Sequence, residues 1–238
     1  MASKPASLPE YLSSFGRNRG RSLRPYQQKL VDELLPKLHC HPEAASKEIV
    51  KILRLAPQAP LSPIALEIGF GAGEHLLAQA RHQPDTLWIG CEPFINGVAK
   101  CLAGVDRDGL SNIRLYTRDA RELIDALPDA CIDSAFILFP DPWPKLRHQK
   151  RRLVNHDTLA RLARIHKPGG RLLLATDHED YALWMFEHLR ATPHYQWLGE
   201  CRADWQTPPA DWTETKYQRK TSAEGRPPVF LECSRRPA

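Results

Sequence analysis

The stretch Leu66-Glu67-Ile68-Gly69-Phe70-Gly71-Ala72-Gly73 decides the fold, because it joins a short apolar strand to a helix through a glycine-rich turn. Glycine lets the backbone turn tightly and approach a ligand closely, next to the N-terminus of the helix. In open α/β sheets, such turns lie beyond the carboxyl ends of the strands, where cofactors bind. The stretch therefore predicts a cofactor site in an α/β sheet, with a tight turn that binds nothing as the alternative.

Strands and helices alternate along the chain from this turn. We predict strands at 64–68, 86–91, 113–116, 132–139 and 171–176, and helices at 74–81, 96–103, 121–126, 153–165 and 181–189, with a turn at 167–170. The alternation predicts a doubly wound, mostly parallel α/β sheet with right-handed crossovers. Two further strands, at 195–200 and 229–233, are separated by a long loop with no convincing helix. We expect them to form an antiparallel edge, which makes seven strands.

The N-terminal quarter of the chain lacks this alternation of strands and helices. Residues 1–24 lack hydrophobic periodicity, so we expect a flexible basic arm, followed by short helices at 24–38 and 44–55. Prolines at 57, 60 and 63 then separate this part from the sheet. We expect residues 1–60 to be an N-terminal extension and residues 61–238 the cofactor-binding domain, with a single domain overall.

The composition limits the class of protein. Of 238 residues, 42% are hydrophobic and 26% are charged, which is typical of a globular chain. No apolar run reaches the roughly 18–20 residues that span a membrane, and residues 1–10 do not resemble a secretion signal. The six cysteines show no C-x-x-C spacing, and His39-Cys40-His41 lacks a second ligand pair, so we expect no metal site. We expect a cytoplasmic protein, either monomer or homodimer.

Basic residues are clustered although the net charge is only +5. The clusters are Arg17, Arg19, Arg21, Arg24 and Lys29; Lys145, Arg147, His148, Lys150, Arg151 and Arg152; and Lys216, Arg219, Lys220 and Arg226. A single cluster is often just a solvated face, but three around one site favour a nucleic acid partner.

Acidic residues follow three successive predicted strands. Glu67 precedes the first glycine of a G-x-G-x-G turn, where a carboxylate would repel a pyrophosphate but suits the cationic tail of S-adenosyl-L-methionine (SAM). Glu92 is placed to accept hydrogen bonds from ribose hydroxyls, and Asp119 from an adenine amino group. The three acids therefore predict a nucleoside-containing, cationic cofactor.

The segment Phe139-Pro140-Asp141-Pro142-Trp143-Pro144-Lys145 follows the fourth strand. Two prolines restrict the backbone around Asp141, and Trp143 provides a rigid aromatic surface. We interpret the loop as one that aims Asp141 at the same crevice. A proline-rich connector without a role is the alternative.

With these motifs, the chain resembles the bacterial tRNA (guanine-N7-)-methyltransferases from about Ser14 to Cys233. The most specific matches are residues 66–71, 139–152 and 175–177, and Thr215-Lys216-Tyr217 is a weaker one. The resemblance implies a class I SAM-dependent methyltransferase that forms 7-methylguanosine in tRNA, at variable-loop position 46. It implies that Asp141 is catalytic, and that the cofactor is bound by Glu67, Gly69, Gly71, Gly73, Glu92, Asp119, Ala120 and Asp141. It implies that the substrate is bound by Lys145, Asp177, Thr215, Lys216 and Gln218.

Gln218 departs from the family, which usually has glutamate at this position. A carboxylate accepts from both the N1–H and the amino group of guanine, whereas an amide offers one acceptor and one donor group. The departure puts base recognition by this residue in doubt and leaves the task to Asp177 as an alternative.

The residues suit methylation at N7, which has a free lone pair and needs no base. Asp141 and Asp177 can stabilise the cationic product. The major groove of A-form RNA is closed to side chains, so the target guanine must be in a loop or turned out, where Trp143 or Tyr217 can stack on it. A small-molecule methyltransferase, a NAD-dependent oxidoreductase and an RNA-binding protein without catalysis remain as alternatives.

Overall fold

The computed structural model describes residues 20–40 and 63–237. The predicted helix at 44–55 and the basic residues Arg17 and Arg19 lie outside the described residues. The division of the chain at residue 60 therefore stays a prediction.

The described residues form one seven-stranded sheet in the order β3-β2-β1-β4-β5-β7-β6. Strands β1 to β5 run parallel, and β7 pairs antiparallel with both β5 and β6. The strands are Ile64–Ile68 (β1), Leu87–Cys91 (β2), Ile113–Tyr116 (β3), Ile132–Leu138 (β4), His166–Thr176 (β5), Tyr195–Trp197 (β6) and Val229–Arg235 (β7). The predicted doubly wound sheet with an antiparallel edge is confirmed. The strand order reverses between β1 and β4, which is where ligands bind in such sheets.

Helices precede β1 and follow each strand from β1 to β6. They are Pro25–Glu33 (α1), Leu35–Leu38 (α2), Glu74–His82 (α3), Ile95–Asp108 (α4), Ala120–Ala126 (α5), His156–Ile165 (α6), Glu179–Ala191 (α7), Arg202–Gln206 (α8) and Lys216–Ala223 (α9). Helix starts have side-chain caps that the sequence supplies locally: Asp119 accepts from the Arg121 N–H before α5, Asn155 from the Thr158 N–H before α6, and Thr215 from the Gln218 N–H before α9.

Both faces of the sheet are covered, because alternate residues of a strand point to opposite sides. On β1, Leu66 and Ile68 belong to the core packed against α5, α6 and α7, whereas Ala65 belongs to the core packed against α1, α3 and α4. All five residues of β2 are buried, as expected for a central parallel strand.

Some predicted elements differ from the structure. The region between β6 and β7 was expected to lack helices but contains α8 and α9, and β6 ends at Trp197 rather than at residue 200. The helix predicted from residue 153 begins at His156, after a 3-10 helix at Leu146–Arg151. Strand β5 begins at His166 rather than at 171. The four residues 167–170 bulge out of its pairing with β4, because Ile132 pairs with His166 and Ser134 already pairs with Arg171.

The predicted single helix at 24–38 is divided into α1 and α2, and both pack on the sheet domain. The Tyr26 hydroxyl donates to Asp106 at 2.6 Å, and the Cys40 N–H donates to the Leu115 carbonyl at 2.8 Å, beside β3. Among the described residues, every helix is too short or too polar to cross a membrane.

Candidate active site

The glycine turn between β1 and α3 has the conformation that its sequence predicts. Gly69 and Gly71 have φ values of +79° and +56°, which side chains rarely tolerate, and a Cβ atom on either would meet nothing within 4 Å. The turn therefore borders open space. Gly97 of α4 closes the other side, because a Cβ there would lie 2.3 Å from the Gly71 carbonyl oxygen.

Glu92 follows β2 and is tied to this turn. Its two carboxylate oxygens accept hydrogen bonds from the backbone N–H groups of Gly71 at 2.8 Å and Phe94 at 2.9 Å. Burial raises the pKa of Glu92, the two backbone hydrogen bonds oppose this, and the charges of Asp141 and Glu67 raise the pKa further. Three carboxylates from the ends of β1, β2 and β4 are thus close enough to interact electrostatically, as the sequence predicts.

Asp119 caps α5 and is also paired. It accepts from the backbone N–H of Arg121 at 3.0 Å, and the guanidinium of Arg121 binds both its oxygens, at 2.9 and 2.6 Å. Its carboxylate is 14% exposed. Ala120, the first residue of the helix, is buried. The charge of Asp119 is therefore largely compensated, which suits a hydrogen bond to a neutral amino group better than binding of a cation.

Glu67 has a partner that was not singled out from the sequence. Its carboxylate is buried, and Oε2 lies 2.8 Å from Nδ1 of His75, on the first turn of α3. The ring of His75 packs against Phe136 and Trp212, with centroids 5.2 and 5.4 Å away. The only local sign of the Glu67–His75 pair in the sequence is a histidine on the helix that follows a glycine turn. The contact with Trp212 joins residues far apart in the chain.

The Asp141 loop is backbone-strained on both sides. Phe139 and Trp143 have φ values of +51° and +41°, in the left-handed region that costs energy for bulky residues. Asp141 is exposed and forms no hydrogen bond or ion pair within residues 20–40 and 63–237. The negative charge of Asp141 contributes to raising the pKa of Glu92. The pKa of Tyr181 is raised to about 12, mainly by burial and in small part by Asp141. An uncompensated carboxylate therefore stands at the mouth of the crevice.

Arg152 holds this loop from behind. Its side chain is fully buried, its Nε donates to the Pro142 carbonyl at 2.9 Å, and its Nη2 pairs with Asp180. The guanidinium lies 5.0 Å from the ring centroids of both Tyr181 and Trp184. Arg152 was counted in the second basic cluster, but it does not belong to an exposed basic surface, because its side chain has no access to solvent.

Other basic residues of the second cluster lie at the surface, unlike Arg152. Lys145, Arg147 and Lys150 are exposed and form no ion pair within the part of the chain that the structure describes. Burial, together with the positive charges of Arg151, Arg147 and Lys145, lowers the pKa of His148. This 3-10 segment therefore presents a positive surface directly after Asp141.

Asp177 directly follows β5, and its charge is compensated by its neighbours. Its side chain is only 6% exposed, it pairs with Arg226, and it accepts from the Tyr217 hydroxyl at 3.2 Å. Arg226 is also bound to Glu224 at 2.8 Å. The arrangement fixes Tyr217, whose half-exposed ring lies 5.3 Å from that of Phe139.

The last predicted substrate residues form the start of α9. Thr215 caps the helix by accepting from the Gln218 N–H at 3.2 Å, and the Lys216 N–H donates to Glu74 at 2.6 Å. Gln218 is buried, and its Oε1 accepts from the Trp212 indole N–H at 2.7 Å. Because an indole N–H only donates, the amide oxygen must face Trp212 and the amide nitrogen must face away from it. Gln218 therefore has its amide N–H donors left to offer, whereas a carboxylate in its place would have an acceptor oxygen.

The sheet is mostly parallel, and carboxylates lie close together at the point where its strand order reverses. Comparisons with known proteins identify the class of protein. Residues 61–231 match a protein family that is described as putative methyltransferase. The solved 16S rRNA methyltransferase KamB is similar in fold, with a TM-score of 0.59 over 79% of this chain and 93% of that chain at 19% identity. The antibiotic-resistance methyltransferase Kmr has a TM-score of 0.53, covering 79% of this chain and 93% of that chain at 20% identity.

Curated relatives identify the family more narrowly. A tRNA (guanine-N(7)-)-methyltransferase of Caulobacter vibrioides is 46% identical over 224 residues, which is 94% of this chain and 95% of the relative. One of Rhodospirillum rubrum is 43% identical over 237 residues, which is 98% of this chain and 91% of the relative. The chain belongs to the tRNA (guanine-N(7)-)-methyltransferase family.

Proposed function

We propose that the protein transfers a methyl group from SAM to N7 of a guanine in tRNA and so forms 7-methylguanosine. The observation that carries this proposal is Asp141. It is an exposed carboxylate without a partner in residues 20–40 and 63–237, at the mouth of an acid-lined crevice and directly before an exposed basic segment. The activity for which the curated relatives are named agrees with this arrangement.

The residues present fit SAM. Gly69 and Gly71 leave open space beside the turn, and the N-terminus of α3 follows it. Glu67 offers negative charge to a cationic tail, and Glu92, with both oxygens held by backbone N–H groups, keeps further lone pairs for ribose hydroxyls. Asp119 and Ala120 would meet the adenine.

The chemistry asks little of the protein beyond position and charge. The cofactor supplies an electrophilic methyl group, which N7 accepts with its lone pair while the electrons of the broken carbon–sulfur bond stay on sulfur. No proton is removed, so no residue acts as a base. The guanine ring becomes cationic, and Asp141 stabilises it through its uncompensated charge. Asp177, which is neutralised by Arg226, positions Tyr217 instead.

The surface around the crevice suits a folded RNA whose target base is turned out. Lys145, Arg147 and Lys150 supply free positive charge for phosphates next to Asp141. Tyr217 offers a half-exposed ring for stacking, worth about 1–3 kcal/mol per base. We further propose that the target is variable-loop position 46, and that the protein acts in the cytoplasm, without a metal ion, as a monomer or homodimer.

The test is transfer of labelled methyl from SAM to an unmodified tRNA transcript, followed by digestion to nucleosides and mapping of the label. We expect 7-methylguanosine at one site. A transcript with 7-deazaguanosine at that single position has a carbon in place of N7 and should accept no label, although its base pairing and stacking are unchanged. Label in any other nucleoside would contradict the N7 proposal, and label at another guanine would contradict only the position.

The rival proposal of a small-molecule methyltransferase has no structural feature of its own in its favour. It predicts that Lys150→Gln leaves turnover unchanged at every salt concentration. The RNA proposal predicts a KM for tRNA that rises in this variant and depends less steeply on salt.

A further inference from the structure

Helix α3 carries three side chains that hold a distant segment of the chain, residues 211–218. Glu74 accepts from the Lys216 N–H at 2.6 Å, and Gln79, itself buried, donates to the Asp211 carbonyl at 2.6 Å. Between them, the ring of His75 packs against Trp212. The same helix begins directly at Gly73, so one rigid element joins the glycine turn to a segment more than 130 residues later in the chain.

His75 contacts both Glu67, which precedes the glycine turn, and Trp212, which belongs to the 211–218 segment. It is 3% exposed, and its Nδ1 lies 2.8 Å from Oε2 of Glu67. A carboxylate only accepts, so Nδ1 carries the proton. On the other side the ring faces Trp212, whose indole N–H donates to Gln218. The contacts form a continuous path from the cofactor turn through Glu67, His75 and Trp212 to Gln218.

A catalytic role does not explain His75, because it is buried behind the crevice between Phe136, Trp88 and Trp212. Packing alone does not explain it either. A polar ring among aromatic groups is costly unless it is hydrogen-bonded, and here its partner is Glu67, the buried acid that precedes the glycine turn.

We propose that His75 is a positioning residue that couples occupancy of the glycine turn to the order of residues 211–218. This inference rests on the proposed function, since it takes SAM as the ligand of the turn. A cationic group bound to Glu67 fixes the plane of its carboxylate, and through Nδ1 it fixes the ring on which Trp212 rests. By reciprocity, contact of the RNA with the 211–218 segment strengthens cofactor binding by the same factor.

Hydrogen exchange of the backbone amides in residues 212–223 tests the coupling without turnover. The ligand is S-adenosylhomocysteine, which keeps the amine-bearing tail and lacks the reactive methyl group. We expect it to slow exchange in this segment of the wild-type protein. In His75→Asn, whose amide still donates to Glu67 but offers no ring to Trp212, we expect bound S-adenosylhomocysteine to leave exchange there unchanged.

The matched control is His82→Asn, the same substitution at an exposed position of the same helix, which should behave as wild type. Calorimetry adds a second readout. Unmodified tRNA should tighten S-adenosylhomocysteine binding about tenfold in the wild type and in His82→Asn, and less than twofold in His75→Asn.

The outcomes separate the two proposals. If S-adenosylhomocysteine does not bind the wild-type protein, the proposed function fails and the coupling fails with it. If it binds and leaves exchange at 212–223 unchanged in the wild type, only the coupling is overturned. Equal slowing in a folded His75→Asn protein would also overturn it, and folding is checked by circular dichroism. If the variant does not fold, the wild-type comparison still tests the coupling, because unchanged exchange at 212–223 overturns it.

Discussion

Arg152→Met removes one cation from a basic run but keeps a long, flexible side chain between the rings of Tyr181 and Trp184. The substitution deletes the hydrogen bond from Nε to the Pro142 carbonyl and the pair with Asp180. It leaves Asp141 and the exposed Lys145 unchanged. The consequence therefore depends on whether the buried guanidinium holds the loop in place.

The magnitude follows from the contacts. A hydrogen bond from a charged donor contributes about 1.5–3 kcal/mol net. The pair with Asp180 adds little, because that carboxylate is 53% exposed and is solvated when it is left alone. If the bond to Pro142 is what holds Asp141 in position, its loss lowers kcat by about 10- to 150-fold, at 1.36 kcal/mol per factor of ten.

The assay is steady-state methyl transfer, which gives kcat at saturating cofactor and tRNA, together with the salt dependence of KM for tRNA. For Arg152→Met we expect the fall in kcat with an unchanged salt slope. The matched control is Arg147→Met at an exposed position, for which we expect normal kcat and a salt slope shallower by about 0.7 per lost phosphate contact. A folded Arg152→Met protein with kcat within twofold of wild type, or with the shallower slope, would refute the positioning role.

Three further predictions follow from single positions. Asp141→Asn should lower kcat about 100-fold in the methyl-transfer assay and leave the thermal midpoint unchanged, because the carboxylate is exposed and contributes charge rather than packing. Gly97→Ala should raise the Kd for S-adenosylhomocysteine at least tenfold by calorimetry, because its methyl group would lie 2.3 Å from the Gly71 carbonyl and displace the turn. Burial lowers the pKa of His166 from 6.5 to about 4, so only the unfolded chain is protonated between these values. The free energy of unfolding should therefore fall as the pH drops from about 6.5 to about 4, by about 3 kcal/mol in urea titrations.

Each of these three predictions has a result that would contradict it. Turnover of Asp141→Asn near the wild-type value would remove Asp141 from the reaction, and normal ligand affinity in Gly97→Ala would show that the turn adapts without cost. For His166, the matched variant is His166→Gln, which should lose this part of the pH dependence. An unchanged profile would assign the dependence to other groups.

Much of the fold was predictable from local sequence. Strands β1 and β3 have the predicted bounds, since apolar runs flanked by turn residues leave a local pattern. The carboxylates Glu67, Glu92 and Asp141 were expected at one crevice because parallel strands end at one edge of a sheet. Their mutual influence on the pKa of Glu92 agrees with that expectation.

The region from 200 to 223 was not predictable in the same way. Helices α8 and α9 have 5 and 8 residues, too short for a clear periodic signal. Helix α9 is polar, and its buried residues are Gln218 and Thr221, so no apolar stripe marks it. Its position depends on contacts with α3 and Trp212, which lie outside the local sequence.

Local patterns in the sequence were enough to predict the sheet type, the glycine turn, the acids at its strand ends and the family to which the chain belongs. Which of the charged groups remain free depends on how distant elements pack together. Arg152 and Lys150 belong to one basic run, yet the first is buried between Tyr181 and Trp184 and the second is exposed. The pairing of His75 with Glu67 and its contact with Trp212 were likewise decided by packing. The reason is that hydrophobic periodicity records which face of an element is buried, whereas ion pairs and ring contacts join residues that meet only when distant elements come together.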